Sequence, residues 1–383
     1  MQPNHSNSQI LEIVNQQQLE DLLEMDAPPE IWEDALYRNL LSFCQEFVQE
    51  TKKFTFNGRK IEYIQLISFL TNITELYLCD NKISDIFAIS KLKYLKYLDL
   101  KGNCIENISA LQFLPDLTYL DLSKNKLTSY TLVLSNLQYL SLDYNKLQDK
   151  SGLQHSPKLH ILNLSDIKIS DLHIIPHQLF GLKELKLCQN VLQEISYISN
   201  FVDLQYLDFG WNKLLYNIEP LKFCTQLTTL SIHETDVTNI WPLQYIQHLK
   251  ILLMNNTKII DLHPLQPLNK LELISACSTC IIDISPLSKL TSLNYAYLIN
   301  NKITNVEILQ KTLLKTRIQK NLLYQIKKFR QQKSSSSIRK YFLFTVLTNK
   351  SEKYKTRIKS PSLELILTKR RIIFQLQCKT RLQ

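Results

Sequence analysis

The sequence predicts an α/β solenoid: a right-handed stack of about twelve coils, with a parallel β-sheet on the concave side and short 3-10 or irregular segments on the convex side. Three observations predict it. An apolar phrase, leucine, two variables, leucine, one variable, leucine, two variables, asparagine, recurs about every 22 residues, opening at Ile73, Leu95, Leu117, Leu137, Leu159, Leu182, Leu204, Leu227, Leu249, Leu271 and Leu293. A degenerate copy opens at Thr51 and carries Phe54, Phe56, Ile61, Ile64, Ile67 and Leu70 in the same positions. Within each copy the alternation Leu98-Asp99-Leu100 or Leu207-Asp208-Phe209 is the period of two of a strand with one buried face.

Numbering the slots from each opening residue, slots 4 and 6 point into the core and slots 3 and 5 point out of the sheet. Slot 9 is asparagine at Asn81, Asn103, Asn125, Asn145, Asn190, Asn212 and Asn301, and threonine at Thr235, Thr257 and Thr279. A short amide or hydroxyl there is placed to bond backbone groups that the turning chain leaves unpaired, which makes slot 9 a structural ladder. Arg59 and Ile167 depart from it. Further apolar slots, such as Ile83 and Ile86 or Ile259 and Leu262, fill the core from the convex side. Pro220, Pro242, Pro264 and Pro286 follow, a placement that suits the first turn of a short helix, where the missing N–H has no partner to lose. Ala276 and Ala296 stand in leucine slots, so the core is expected to thin toward the last copies.

Three segments are expected: 1–50, an acidic helical segment and cap; 51–310, the solenoid; and 311–383, a basic helix and tail, partly disordered. Residues 1–50 carry ten acids against Arg38, a net of −9; the solenoid nets +1; residues 311–383 carry 20 bases against Glu352 and Glu364, a net of +18. Residues 8–25 have helical apolar spacing, and Ile31, Trp32, Leu36, Leu40, Phe43, Phe47 and Val48 mark a second helix that reads as a cap on the first coil. The acidic segment reads alternatively as a partner-binding helix. In the tail, a helix over about 309–330 is placed to cover the last coil, Ser334–Ser337 resembles a linker, and interleaved Tyr341, Phe342 and Phe344 suit contact with nucleic acid or an anionic membrane.

Composition narrows the function classes. Five glycines and the lack of any GxxxxGK[ST] or GxGxxG string argue against nucleotide chemistry. The first residues lack the basic and apolar regions of a secretory signal, and the longest apolar run, Tyr341–Leu347, is too short to cross a bilayer, so an intracellular protein, cytoplasmic or nuclear, is expected. The cysteines are scattered through the copies and read as reduced thiols. Cys277 and Cys280 form a lone CxxC, and His173 and His177 flank Pro176; neither pair has the partners a metal site needs, so no metal or cofactor is expected. No nucleophile–base pairing stands outside the repeat pattern, so no catalytic residue, small-molecule substrate or enzyme activity is expected.

The string TNITELYLCDNKISDIFAISKLKYLKYLDLKGNCIENISALQFLPDLTYLDLSKNKL resembles the 22-residue leucine-rich repeats of the sds-type phosphatase-1 regulatory protein and of bacterial internalins. The resemblance covers residues 51–310. It implies a non-enzymatic scaffold that grips a protein on its concave face. For the regulatory family that partner is a type-1 phosphatase catalytic subunit, although the short cap that ends that family is not evident after Leu309.

The outward slots supply the candidate contacts. Slot 3 holds Tyr97, Tyr119, Tyr139, Tyr206 and Tyr295; slot 5 holds Tyr77, Asp99, Asp121, Asp208 and Tyr297; slot 8 adds Asp80, Lys124, Tyr144, Asp166, Trp211 and Glu234. Aromatic rings beside carboxylates suit a protein interface, because they bury area and still offer a hydrogen bond. Tyrosine is equally at home there as a strand former stacked between neighbouring copies. Ser141, Asn163 and Lys186 separate Asp121 from Asp208, so two acidic spots are expected, with Tyr119, Tyr139 and Tyr144 between them.

Overall fold

A computed structural model of the chain describes residues 52–304; the segments expected at 1–50 and 311–383 lie outside the described residues. Twelve three-residue strands form one parallel sheet in chain order. They are β1 (Lys53–Thr55), β2 (Glu75–Tyr77), β3 (Tyr97–Asp99), β4 (Tyr119–Asp121), β5 (Tyr139–Ser141) and β6 (Ile161–Asn163). The remainder are β7 (Glu184–Lys186), β8 (Tyr206–Asp208), β9 (Thr229–Ser231), β10 (Ile251–Leu253), β11 (Leu273–Ser275) and β12 (Tyr295–Tyr297). Leu98, Leu120 and Leu140 sit opposite one another in adjacent strands, in the register the repeat predicts. These slot-4 side chains and those of slot 6 are buried, Ala276 and Ala296 among them.

The slot-9 ladder forms as the residue chemistry requires. Asn103 Nδ2 donates to the carbonyls of Leu78 and Leu100, both at 2.9 Å, while its Oδ1 accepts the Ile83 N–H at 3.0 Å. One buried amide thus ties its own turn to the turn before it. The threonines do less: Thr235 Oγ1 donates to Ile232 O and Thr257 Oγ1 to Met254 O, each within its own copy. Where slot 9 is Arg59 or Ile167, the next asparagine takes up the slack. Asn81 Oδ1 accepts from Arg59 N as well as Ile61 N, and Asn190 Oδ1 from Ile167 N as well as Ile169 N.

Slot 8 shows what the sequence alone did not. Gly58, Asp80, Gly102, Lys124, Tyr144, Asp166, Gln189, Trp211, Glu234, Asn256, Ser278 and Asn300 all have φ between 52° and 71°, the left-handed region. The chain reverses there out of the strand before the ladder residue, and most copies accept the strain with a side chain present. Lys60 and Lys168 are left-handed too, at slot 10 of the two copies that lack a ladder residue. Their turns therefore differ where the asparagine is missing.

On the opposite side, short 3-10 turns such as Phe87–Lys91 and Trp241–Tyr245 stack copy on copy. Pro220, Pro242, Pro264 and Pro286 each lie in the first turn of one, as expected. A second ladder starts these turns. Slot-13 side chains, among them Asp85, Asn107, Asp149, Asn239 and Asp283, accept the backbone N–H two residues on at 2.8–2.9 Å. The copy opening at Leu117 is two residues shorter than the 22-residue phrase and has no such turn. Fully buried Tyr130 fills its core instead, and the chain runs straight enough for Ser129 to pair with Asp149 as an isolated parallel bridge. Gly152 is needed beside it: a Cβ there would lie 2.8 Å from both Leu132 N and Tyr130 O.

Candidate functional site

The outward face of the sheet is built from slots 3 and 5, with slot 8 along one margin. Its first third is an aromatic stack. The rings of Tyr77, Tyr97, Tyr119 and Tyr139 follow one another at centroid distances of 4.6, 3.8 and 4.0 Å, the last two pairs within 9° of parallel. Parallel strands set the slot-3 rings of Tyr97, Tyr119 and Tyr139 at about 4.8 Å, and tilting closes them into contact, whereas Tyr77, at slot 5, meets Tyr97 diagonally across the strand pair. Lys53 Nζ lies 4.5 Å from the Tyr77 centroid and caps the outer face of the stack, and Glu75 accepts the Tyr77 hydroxyl at 2.9 Å. Burial pushes the Tyr97 phenol up to about 12 and pushes those of Tyr119 and Tyr139 further still, so all three hydroxyls stay protonated as hydrogen-bond donors.

The slot-5 aspartates are engaged in their own turns. Asp99 Oδ1 accepts Lys101 N at 3.1 Å, Asp208 Oδ1 accepts Gly210 N at 2.9 Å, and Asp121 Oδ1 accepts both the N–H and the hydroxyl of Ser123. Asp121 is buried, and the loss of hydration lifts its carboxyl to about 6, against the pull of Ser123 and with a further push from Asp99 and Asp143. Asp99 and Asp121 are neighbours in register; Asp208 is four strands away, with Ser141, Asn163 and Lys186 between. Each of these carboxylates therefore holds a strand exit, with only its remaining valences left for a partner.

The middle of the face carries the more open rings. Trp211 is 43% exposed, stands edge-on to His233 at 6.4 Å and has Lys213 Nζ 5.8 Å from its ring. Gly210 makes this possible, because a Cβ there would overlap the His233 ring, whose Nδ1 lies 2.7 Å from Ser231 Oγ. Tyr144, also 43% exposed, donates to Gln189 Oε1 at 2.7 Å and has Lys124 Nζ 5.6 Å from its ring; Lys186 Nζ lies 5.6 Å from that of half-buried Tyr206. Glu234 accepts from Asn256.

At the far end, Ile251, Leu253, Leu273, Tyr295 and Tyr297 occupy slots 3 and 5 and are half-buried. Sequence reasoning singled out the two tyrosines and missed the aliphatic residues, because a leucine in a leucine-rich phrase reads as core unless its parity is followed.

Elsewhere, Cys277 and Cys280 are free and half-buried, and among the described residues no group of three metal-ligating side chains comes together. His173 Nδ1 lies 2.6 Å from Asp171, a slot-13 side chain. No helix of the described residues is long and apolar enough to cross a membrane.

Parallel three-residue strands, an asparagine ladder and 3-10 backs recur from coil to coil. The leucine rich repeat family model matches residues 71–127. An internalin, InlF of Listeria monocytogenes, is 30% identical with a TM-score of 0.66, over 72% of this chain and 84% of that one. The chain belongs to the leucine-rich-repeat proteins. Two other leucine-rich-repeat neighbours share the fold alone. The functional domain of InlJ from the same bacterium is 21% identical, TM-score 0.54, over 69% of this chain and 66% of that one. PEPR1, in the PEPR1–AtPEP1 structure, is 21% identical, TM-score 0.52, over 66% of this chain and 38% of that one. No curated protein matches the chain.

Proposed function

We propose that this leucine-rich-repeat protein is a non-enzymatic scaffold that binds a partner protein on the outward face of its sheet. The observation that carries the reading is Trp211, a large ring 43% exposed at the margin of that face, with His233 edge-on to it at 6.4 Å. Tryptophan and tyrosine anchors buried at an interface commonly carry at least about 2 kcal/mol of it. The leucine-rich-repeat fold supports the reading, since an array that grows in one dimension offers an extended face for contact.

The test is a pull-down from cell lysate with wild type and Tyr206→Ala/Trp211→Ala, the double variant first shown by circular dichroism to fold. Loss of a specific partner is expected; retention of every partner by the folded variant would remove the basis for the reading. A type-1 phosphatase catalytic subunit, the partner implied by the sequence resemblance, is one protein to probe for among those captured. A cytoplasmic or nuclear address belongs to the same proposal and is checked by imaging a tagged chain.

A further inference from the structure

Beside Trp211 lies a buried titratable side chain that the reading of the face does not use. His233, at slot 7 of the copy containing β9, is only 7% exposed, and its ring stands edge-on to that of Trp211 with 6.4 Å between centroids. It packs against Gly210 of the preceding copy, where a Cβ would overlap its Cε1, Nδ1 and Nε2. Its Nδ1 lies 2.7 Å from the Oγ of Ser231, a residue that is 1% exposed. The backbone joins the same residues, since Trp211 N donates to His233 O at 2.8 Å.

The charges near this imidazole come from both sides. Asp208 of β8 is the register partner of Ser231, accepts Gly210 N at 2.9 Å and has Lys186 as its neighbour on the far side. Glu234 follows His233 in the chain and accepts from Asn256, while Lys213 Nζ lies 5.8 Å from the Trp211 ring. From Ile251 to Thr257, β10 and the turn after it carry no charge. The carboxylates favour an imidazolium, and burial and the lysines oppose it. In the neutral ring one proton serves the contact between Nδ1 and Oγ, supplied by either partner. Once the ring is protonated Nδ1 can only donate, so the Ser231 hydroxyl must accept and turn its own hydrogen elsewhere. A partner laid over Trp211 takes away the water that His233 still meets, and a charged ring loses more by this than a neutral one.

We propose that His233 is a proton switch at the Trp211 margin: the neutral imidazole is the form that binds, and protonation weakens the hold on a partner covering Trp211. This rests on the reading of the sheet face as a protein-binding surface and adds its regulation. The direction follows from linkage. A partner that disfavours the imidazolium expels its proton on binding, so affinity falls as pH drops through the titration of His233.

The experiment uses the full chain. The emission of Trp211, taken as the difference between wild type and Trp211→Phe, is followed from pH 8 to pH 5. An imidazolium quenches a neighbouring indole more strongly than a neutral imidazole does, so this emission is expected to fall along a one-proton curve with its midpoint between about pH 5 and 8. His233→Asn is expected to abolish the curve, with His233→Gln as the second variant should asparagine impair folding. The histidine Cε1–H resonance that disappears in the variant gives the same midpoint in wild type by NMR. Asp121→Asn, five strands away, is expected to leave the curve unchanged. A partner captured from lysate by wild type and lost in Tyr206→Ala/Trp211→Ala is then captured again at pH 7.5 and 5.5. Wild type is expected to hold it about fivefold or more less tightly at pH 5.5, and His233→Asn to hold it within about twofold at both.

A Trp211 emission that is flat between pH 5 and 8, a curve that survives both His233 variants, or a His233 resonance that does not titrate in that range would each overturn the proposal. So would capture that is equal or stronger at pH 5.5 in wild type. If a partner depends on Tyr206 and Trp211 but its capture is indifferent to pH, the general reading stands and the switch falls. If no partner depends on those rings, both fall together.

Discussion

A single asparagine shows how residue chemistry sets the fold. Asn125 Nδ2 donates to Leu100 O and Leu122 O, and its Oδ1 accepts Ile105 N, so truncation strands groups in two copies at once. Asn125→Ala is expected to cost about 1–3 kcal/mol in urea denaturation, the usual penalty for unpaired buried polar groups. Thr257→Ala removes one hydroxyl bond to Met254 O and is expected to cost less, about 1 kcal/mol; equal losses would show that the inter-copy bonds of the asparagine carry no stability. Asp121 gives a pH prediction. Its carboxyl, lifted to about 6 in the folded chain from the ordinary 3.8, binds protons more strongly folded than unfolded. Stability must therefore fall as pH rises from about 4 to 6 and level off above that. Asp121→Asn keeps the acceptor for Ser123 and removes the charge, so it is expected to flatten that slope and to raise stability at pH 7.5 by about 1–3 kcal/mol. Thermal melts of both proteins from pH 4 to 8 check it; parallel curves would rule out Asp121 as the source.

At the scale of the element, legibility followed the hydrophobic pattern. Strand positions, register and the slot-9 ladder were readable because burial of leucine and pairing of backbone groups both repeat with the phrase, and Leu98, Leu120 and Leu140 align as that period requires. The left-handed slot 8 was obscured by Lys124, Tyr144, Gln189, Trp211 and Glu234, which carry no signature of positive φ, although Gly58 and Gly102 and the residues Asp80, Asp166, Asn256 and Asn300 hinted at it. The slot-13 ladder was hidden for a different reason: its aspartates and asparagines look like ordinary surface residues until the N–H they accept is located. At the candidate site, the tyrosines were legible as a group and their stacking was weighed, whereas the aliphatic patch on β10–β12 was passed over. Gly102 tests the left-handed strand exit directly. Its φ is +69°, and a Cβ would overlap Asp80 Oδ1 of the preceding copy. Gly102→Ala is expected to cost about 1–3 kcal/mol from left-handed strain plus overlap. Adding Asp80→Ala should restore only the overlap part. Complete recovery in the double variant, measured by urea denaturation, would mean that backbone strain at slot 8 is negligible.

Across the whole array, stability is close to a sum of copies and of the interfaces between neighbours, so a weak interface marks where the stack opens first. The ladder distinguishes two regions. From Asn190 to Asn212 each amide reaches back to the preceding copy, with Asn212 Nδ2 donating to Leu187 O as well as to Phe209 O. From Thr235 to Thr257 the hydroxyls donate within their own copies, and the link between neighbours rests on the strand bonds and the leucine core. Core burial is equal in the two regions, Leu230 and Leu252 being as enclosed as Leu185 and Leu207, so packing does not offset the missing amide. The coupling between copies is therefore expected to be weaker around β9–β11. Hydrogen exchange followed by mass spectrometry at low denaturant should show peptides from 228–280 opening together before those from 95–212. Thr257→Asn, which supplies the amide that reaches back a copy, should delay that opening. If the two regions exchange as one unit, or if the asparagine-laddered copies open first, slot 9 does not set the order in which the stack comes apart.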